Sequence, residues 1–576
     1  MSARRGIVLV LLLIFLAVSA SVAALVLFSF AGGAPPTVPA NAVLRLNLDA
    51  PFPEIEPNDV FSQFAPEVRT LRSTINMVKR ASRDSRIKGL VFSPQVNGAL
   101  WAQVQELRGA IAEFREAGKP VTAYLEVGGP QEYYLASAAS RIVMMPAGQL
   151  DISGLVTYEV FFRGALDKIG VVPDLLHIGD YKTASNTFTE KGFTPEHREM
   201  SQALNKDWFD QLVAAVAAGR KIDDAEARRR ISGGPYLAQQ ALDAGLVDEL
   251  AYADQLDDTE PMKGTREFKD TDYLRAGTTS PLARVPGARI ALLYGTGTIA
   301  SGRTSLDGSV LGSETFVEWL RKVRVDPSVR AIVVRIDSPG GSAVASEVMW
   351  RELQLTREVK PLVVSMGDVA ASGGYYIAAP AHVIVAQPGT ITGSIGVVTG
   401  KFVLKGALDK IGVGVDSVTD GGNAEIYSPF KTFSPGERAK IEEQMRATYD
   451  LFVSRVAQGR GKSESEVDAV ARGRVWTGQQ AKSLGLVDEL GGLDAAIRIA
   501  QQRARLDTTK EVDLVVYPPK RSLYEIVANP FGSAAEMREE LRLMRSPARF
   551  LDAAVSVLSR FRRGEPLAIL PNVFWR

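Results

Sequence analysis

The chain has 576 residues, with 67 Lys plus Arg against 66 Asp plus Glu, a formal net charge of +1, no cysteine and three histidines. That length exceeds what one hydrophobic core supports, the balanced charge leaves no global footprint for nucleic acid, and the lack of cysteine excludes thiol catalysis, disulfides and thiolate metal sites. His177, His197 and His382 form no close pair and no HExxH motif, so neither a metal nor another cofactor is expected.

Residues 6–30 are a run of 25 without a charge. As a helix they would extend about 37 Å at about 1.5 Å per residue, longer than the ~30 Å hydrocarbon core of a bilayer. Arg4 and Arg5 precede the run and no basic residue follows for some distance. The positive-inside rule therefore puts residues 1–5 in the cytoplasm and the body across the membrane. A cleaved secretory signal, processed around residues 19–24, is the other reading, but the apolar region of a signal runs only about 7 to 15 residues. A retained transmembrane anchor is expected, followed by a Gly- and Pro-rich linker over 31–41.

The body begins near Ala42 and is a duplication. GALDKIGV occurs at 164–171 and again at 406–413, and GLVDEL at 245–250 and 485–490. The offset is 242 from Asp84/Asp326 through Gly154/Gly396 to Gly179/Gly421, and 240 after a small gap. The repeat divides the chain into an N-terminal domain over 42–254, a connector over 255–288, a C-terminal domain over 289–514 and a C-terminal helical extension over 515–576. Short β-branched runs alternate with amphipathic stretches: 331–336 and 361–366 predict strands, and 345–359 the helix between them, an α/β pattern with parallel strands. Near the C-terminus, Ser546-Pro547 predicts a helix start, with Phe550, Leu551, Ala554, Val555, Leu558 and Phe561 on one face. That face would dock on the core or a sister subunit, or else on an anionic membrane surface.

The copies differ where chemistry would sit. Ala371-Ser372-Gly373-Gly374-Tyr375-Tyr376 aligns with Gly129-Pro130-Gln131-Glu132-Tyr133-Tyr134, so the serine belongs to the later copy alone; Lys182, in Gly179-Asp180-Tyr181-Lys182, aligns with Ala424. Ser372 follows a predicted strand and precedes a helix-compatible run, beside helix N-terminal amides of the kind that stabilise an oxyanion. The amide of Gly373 is one natural donor. The turn Ser338-Pro339-Gly340-Gly341-Ser342 supplies the other, at Gly341, with Gly340 as the near alternative.

A serine nucleophile needs a base. Ala370 stands where a GxSxG elbow has its first glycine, and the one downstream histidine, His382, reads as the start of a strand over 382–385. Lysine is the remaining candidate, because burial lowers its pKa from about 10.4 toward 7. Lys182 is the lysine the repeat singles out, although Asp180 would raise its pKa if the two paired. Each copy keeps one member of a dyad, and a site at their junction needs one of each. Gly461-Lys462-Ser463 is a helix-ending loop, not a phosphate loop, because the glycine required five residues earlier is Val456.

Taken together, Ser-Pro-Gly-Gly-Ser at 338–342, Ala-Ser-Gly-Gly-Tyr-Tyr at 371–376, Thr-Gly-Ser-Ile-Gly-Val at 392–397 and Gly-Asp-Tyr-Lys at 179–182 resemble the long, duplicated signal peptide peptidases of peptidase family S49, in the Clp protease and crotonase superfamily. The resemblance covers the anchor, both copies and the tail. It implies an α/β fold of two tandem β-β-α superhelix domains behind one N-terminal transmembrane helix. It also implies a serine endopeptidase with a Ser/Lys dyad and no cofactor, in which Ser372 is the nucleophile, Lys182 the general base, and Gly341 and Gly373 the oxyanion donors. The family's helper hydroxyl, which orients the lysine, matches Ser394, whose counterpart in the first copy is Ile152.

The resemblance further implies a dome-shaped homotetramer on the outer, periplasmic face of the bacterial plasma membrane, digesting cleaved signal peptides. Apolar peptides in extended conformation suit a groove that adds them as a strand. From the residues alone, the reading is peptide or acyl transfer by an exported Ser/Lys enzyme. Two other classes compete: a crotonase-like acyl-CoA enzyme, which has no use for an anchor or a Ser/Lys pair, and a non-catalytic membrane scaffold, which the degenerate first copy would suit. Nucleic acid is not an expected partner.

Overall fold

The computed structural model describes residues 36–48, 52–56, 68–96, 98–276, 288–305, 308–510, 512–519, 566–569 and 574–575. The anchor expected over 6–30 and the helix expected from Ser546 lie outside the described residues. Among the described residues no helix is long and apolar enough to cross a membrane.

Alternating strands and helices give each copy a largely parallel sheet, and the two sheets are built alike. In the first copy the order is Tyr236–Leu237, Arg141–Leu150, Val121–Gly128, Ile87–Ser93, Ala42–Asn47, Arg266–Lys269. In the second it is Val475–Thr477, Ile391–Gly393, Leu362–Ala371, Val329–Ser338, Arg289–Thr296, Asp513–Tyr517. Parallel neighbours need a crossover, here supplied by the helices Leu71–Arg83 and Trp101–Glu116 in one copy and Ser313–Val325 and Ala343–Arg357 in the other. Strands covered on both faces carry unbroken apolar runs, and Ile332, Val333, Val334, Val363 and Val364 are fully buried.

The stretch expected as a connector over 255–288 is partly built into the first sheet. Its strand Arg266–Lys269 pairs in parallel with Ala42–Arg45, and the helix Asp270–Ala276 follows. In the second copy Asp513–Tyr517 pairs the same way with Arg289–Leu293, across the boundary expected at 514/515. Both are edge strands, paired on one side only, which is why a charged sequence such as Arg-Glu-Phe-Lys serves there. The C-terminal extension, expected to be helical, also contains the strands Leu567–Ile569 and Phe574–Trp575. A strand of two or three residues whose partners are hundreds of residues away carries no readable periodicity of its own.

A third sheet stitches the copies together, in the order Val310–Gly312, Thr298–Ala300, Gly340–Ser342, Leu567–Ile569, Val397–Val403, Val172–Ile178. The last strand belongs to the first copy. It pairs antiparallel with Val397–Val403, from Val172 opposite Val403 to Ile178 opposite Val397, and buries Leu176 in the second copy's core. In return, Ile391 and Val475 of the second copy pack into the core of the first. The pairing stops at Ile178, and Gly179, at φ 105°, turns the chain toward Lys182.

Candidate active site

The strand Leu362–Ala371 runs beyond its expected end at 366 and stops against Ser372, and the helix Gly373–Ala378 starts at the next residue. Ser372 makes this turn at φ 56°, ψ −114°. A non-glycine residue there is strained by about 1–3 kcal/mol, as at the nucleophile elbows of hydrolases. Two hydrogen bonds hold it: the Ser372 amide donates to the Gly393 carbonyl at 2.8 Å, and its carbonyl accepts from the Tyr376 amide at 2.8 Å.

Lys182 Nζ lies 2.7 Å from Ser372 Oγ, 2.9 Å from Ser394 Oγ and 2.9 Å from the Ser394 carbonyl oxygen. All three residues are fully buried. Burial alone pushes the Lys182 amine well below its ordinary pKa, with no charged neighbour contributing. The adjacent Asp180 does not pair with it and instead faces Arg472, at 3.9 Å. A neutral amine has two N–H groups and one lone pair. In that form the two Ser394 oxygens can accept the N–H groups, which would leave the lone pair facing the Ser372 hydroxyl.

A three-residue turn of the second copy holds this junction. The Tyr181 amide donates to Arg472 O (2.9 Å), the Gly473 amide to Ile395 O (2.7 Å), and the Ser394 amide to Arg474 O (2.7 Å). The lysine's turn and the Ser394 turn thus hang on one support. Gly473 sits at φ 79°, and a Cβ on it would lie 2.4 Å from the Lys182 nitrogen, so no side chain fits between them. The Arg474 guanidinium adds to the clamp over the Tyr181 ring (4.7 Å) and in a 2.7 Å pair with Glu199.

Gly340 and Gly341 take φ 96° and 155°. The Gly340 amide donates to Ser338 Oγ at 3.2 Å, and that hydroxyl donates to the Gly297 carbonyl at 2.6 Å. The Gly341 nitrogen comes within 3.2 Å of the point where a Cβ on Gly373 would lie, so these two backbones face each other.

The histidines are engaged elsewhere. His382 Nδ1 accepts from the Leu362 amide at 3.1 Å, His177 Nδ1 lies 3.0 Å from Gly179 O, and His197 is 2.6 Å from Glu159. In the first copy Pro130 opens the helix Pro130–Ala136, Ile152 is buried, and Ala424, opposite Lys182 in the repeat, is exposed. Gly461 ends one helix at φ 64° and Ser463 caps the next.

Two features were missed in the sequence. One is a group of buried charges at the junction: Arg335 pairs with Glu54 at 2.6 Å and Glu106 at 2.7 Å, both from the first copy. Nearby, burial and then Glu54 push Asp337 up to about 6, while burial and then Asp337 push Asp368 well up. The signal was present as Arg335, Asp337 and Asp368 interrupting otherwise apolar strands, where an unpaired charge is costly. The other is the strand Leu567–Ile569, which lies beside Gly340–Ser342. Its signal was a short apolar run between Pro566 and Pro571.

The pattern described as Peptidase family S49 matches this chain twice, over 113–261 and 354–507. The chain is 35% identical over 466 residues to the chloroplastic serine protease SPPA of Arabidopsis thaliana, covering 79% of this chain and 68% of that one. It is 34% identical over 502 residues to Protease 4 of Salmonella typhi, covering 85% and 80%, and 33% identical over 529 residues to Protease 4 of Haemophilus influenzae, covering 86% and 84%. A mixed α/β fold and these relatives define the class as serine protease. Within that class, the chain belongs to peptidase family S49, in the long form that carries the family's domain twice.

Proposed function

We propose that the protein is a membrane-anchored endopeptidase that uses Ser372 as nucleophile and Lys182 as general base to cut apolar peptides in extended conformation, cleaved signal peptides among them. The observation that carries this reading is the 2.7 Å contact between Lys182 Nζ and Ser372 Oγ, in full burial, from opposite copies of the repeat. Lys182 takes the Ser372 proton as Oγ adds to the substrate carbonyl. The amides of Gly341 and Gly373 receive the developing oxyanion. The lysine ammonium then gives its proton to the leaving amine, and water activated by the same lysine releases the acyl group. Ser394 holds the amine in orientation through its hydroxyl and carbonyl.

The two domains are read as Clp protease/crotonase-like units, anchored by residues 6–30 in the plasma membrane, with the N-terminus cytoplasmic and the body periplasmic. The charge-free run behind Arg4 and Arg5 supports this. A homotetramer is part of the reading, supported by the internal repeat. Val172–Ile178 pairs with Val397–Val403 within one chain. Displaced by the repeat offset of 242, the same pair of segments becomes 414–420 and 155–161. Val418 is 104% exposed where its counterpart Leu176 is 7% exposed, and Val156, Tyr158 and Val160 are exposed as well. A second chain bringing its 155–161 to 414–420 would repeat the internal pairing head to tail, the kind of contact that closes into a ring.

A serine-reactive acylating probe, with the labelled residue mapped by mass spectrometry, tests the chemistry. Labelling at Ser372 is expected in the wild-type chain and should be lost in Ser372→Ala and Lys182→Arg. A wild-type chain left unlabelled at Ser372 would favour the non-catalytic scaffold.

A further inference from the structure

Three serines besides Ser372 and Ser394 stand around the glycine turn at 340–341, four residues apart: Ser338, Ser342 and Ser346, all fully buried. Ser342 caps the helix Ala343–Arg357, its Oγ accepting the Ala345 amide at 3.0 Å. Ser338 Oγ accepts the Gly340 amide at 3.2 Å and donates to the Gly297 carbonyl at 2.6 Å, which ties Gly340 to the turn between the strands Arg289–Thr296 and Thr298–Ala300. Ser346 Oγ donates to the Ser342 carbonyl at 2.8 Å. Two hydroxyls thus grip the chain on either side of the glycine pair, one at the amide that enters it and the other at the carbonyl just past it. Gly340 and Gly341, at φ 96° and 155°, have no side chains of their own to hold that conformation.

Ser346 also reaches the residue after the nucleophile. A Cβ on Gly373 would lie 2.7 Å from Ser346 Oγ, 3.2 Å from Gly340 Cα and 3.2 Å from the Gly341 nitrogen, so the hydroxyl, the glycine turn and Gly373 meet at one point. Amides drawn from two separate backbone segments stabilise a developing oxyanion only where their spacing is fixed beforehand. The first copy shows what the fold alone requires. At the repeat offset of 242, Ser338, Ser342 and Ser346 fall opposite Val96, Leu100 and Val104. All three are apolar, Val96 and Val104 are buried in that copy's core, and the helix Trp101–Glu116 forms with no side-chain cap from Leu100. The strand, turn and helix therefore need none of these hydroxyls, and a buried polar group is costly unless paired. The copy without the nucleophile is the copy without them.

We propose that Ser338 and Ser346 are positioning residues for the reaction at Ser372: they fix Gly340 and Ser342 so that the Gly341 amide stays aimed, with that of Gly373, at the substrate oxygen that gains charge. The proposal rests on Ser372 being the nucleophile. It also separates the two glycines, because the Gly340 amide is already engaged by Ser338 and the Gly341 amide is the one left to donate.

The test uses the full-length, detergent-solubilised protein and three probes with one apolar sequence, acetyl-Leu-Leu-Val-Ala: a coumarin amide for turnover, the peptide aldehyde and the peptide alcohol. Ser372 Oγ adds to the aldehyde carbon, the carbonyl π pair moves onto the oxygen facing the two amides, and the serine proton passes to Lys182. The alcohol binds the same groove and develops no such charge. Ser338→Ala and Ser346→Ala should each lower kcat about 10- to 100-fold, with KM within about twofold, somewhat less than the loss of an oxyanion donor outright. Inhibition by the aldehyde should weaken by the same factor, and inhibition by the alcohol should stay level. Unchanged kcat in the variants, or a change confined to KM, would overturn the proposal. An aldehyde that binds the wild type no more tightly than the alcohol would overturn the Ser372 reading and the proposal with it. Each substitution removes a single oxygen, thermal melting shows which variant is folded, and either one alone decides the matter.

Discussion

Lys182 is a burden on the fold that holds it. Its amine is fully buried, and burial, unopposed by any charge, keeps its pKa well below the ordinary lysine value. Between that lowered pKa and about 10.4, the unfolded chain holds a proton that the folded chain lacks, so stability rises with pH across this window. Lys182→Met should therefore raise the melting temperature at pH 7, by about 1 °C for each kcal/mol regained in a unit of this size, and the gain should shrink as the pH is raised toward 10. A melting temperature that falls instead would mean that the Ser394 contacts contribute more than burial costs. Activity has the same sign for a different reason: only the neutral amine accepts the serine proton, so kcat/KM should climb with pH through the lowered pKa and then level. Lys182→Arg, charged at every accessible pH, should be as inactive as Lys182→Ala, with losses of at least about 10²-fold, whereas Ser394→Ala removes one orienting contact and should cost less.

Two neighbouring strands of the second sheet carry carboxyl groups next to the Ser338 and Ser372 turns. Asp337 is the residue before Ser338 on Val329–Ser338, and its side chain accepts the Val369 amide at 2.9 Å; Asp368 is on Leu362–Ala371 and accepts the Gln103 amide of the first copy at 3.0 Å. Burial and then Glu54 raise Asp337 to about 6. The folded chain thus retains a proton that the unfolded chain gives up in the ordinary aspartate range. Stability should fall as pH rises from that range through about 6. Asp337→Asn keeps the acceptor and removes the titration. Urea midpoints taken at pH 5 and pH 7.5 isolate the group by difference: the midpoint at pH 7.5 relative to that at pH 5 should be higher in this variant than in the wild type. A pH-dependent change in midpoint that is the same in variant and wild type would remove Asp337 from the pH response.

The whole molecule is two copies that no longer do the same work. The first sends Val172–Ile178 into the other's sheet and delivers Lys182 at its end; the second supplies the strained turn at Ser372. The copies are then locked by the buried Arg335 between Glu54 and Glu106, an arrangement in which losing one partner typically costs about 3–5 kcal/mol. The same repeat that pairs the copies inside one chain leaves Val418 exposed on the outside. Val418→Asp puts a charge at the centre of the surface that would receive a second chain. Light scattering on the detergent-solubilised protein should show a lower mass for this variant than for the wild type, at unchanged thermal stability; an unchanged mass would move the assembly surface elsewhere.

The duplication, the parallel α/β pattern and the loss of one member of the serine–lysine pair from each copy were legible in the chain, because an offset repeat puts Ser372 against Pro130 and Lys182 against Ala424 without any coordinates. Local chemistry was enough for these: glycine turns, apolar runs and a serine between a strand and a helix are properties of neighbouring residues. The meeting of Lys182 with Ser372 across 190 residues was inferred from the asymmetry, but its cause was not visible. It depends on antiparallel register along Val172–Ile178 and on a glycine at 473 that leaves no room for a side chain. The edge strands at 266–269 and 513–517, the buried charges around Arg335 and the strand Leu567–Ile569 were likewise decided by tertiary structure. Each takes its stability from a partner far along the chain, and a pairing energy of that kind leaves no periodic mark in the few residues that receive it.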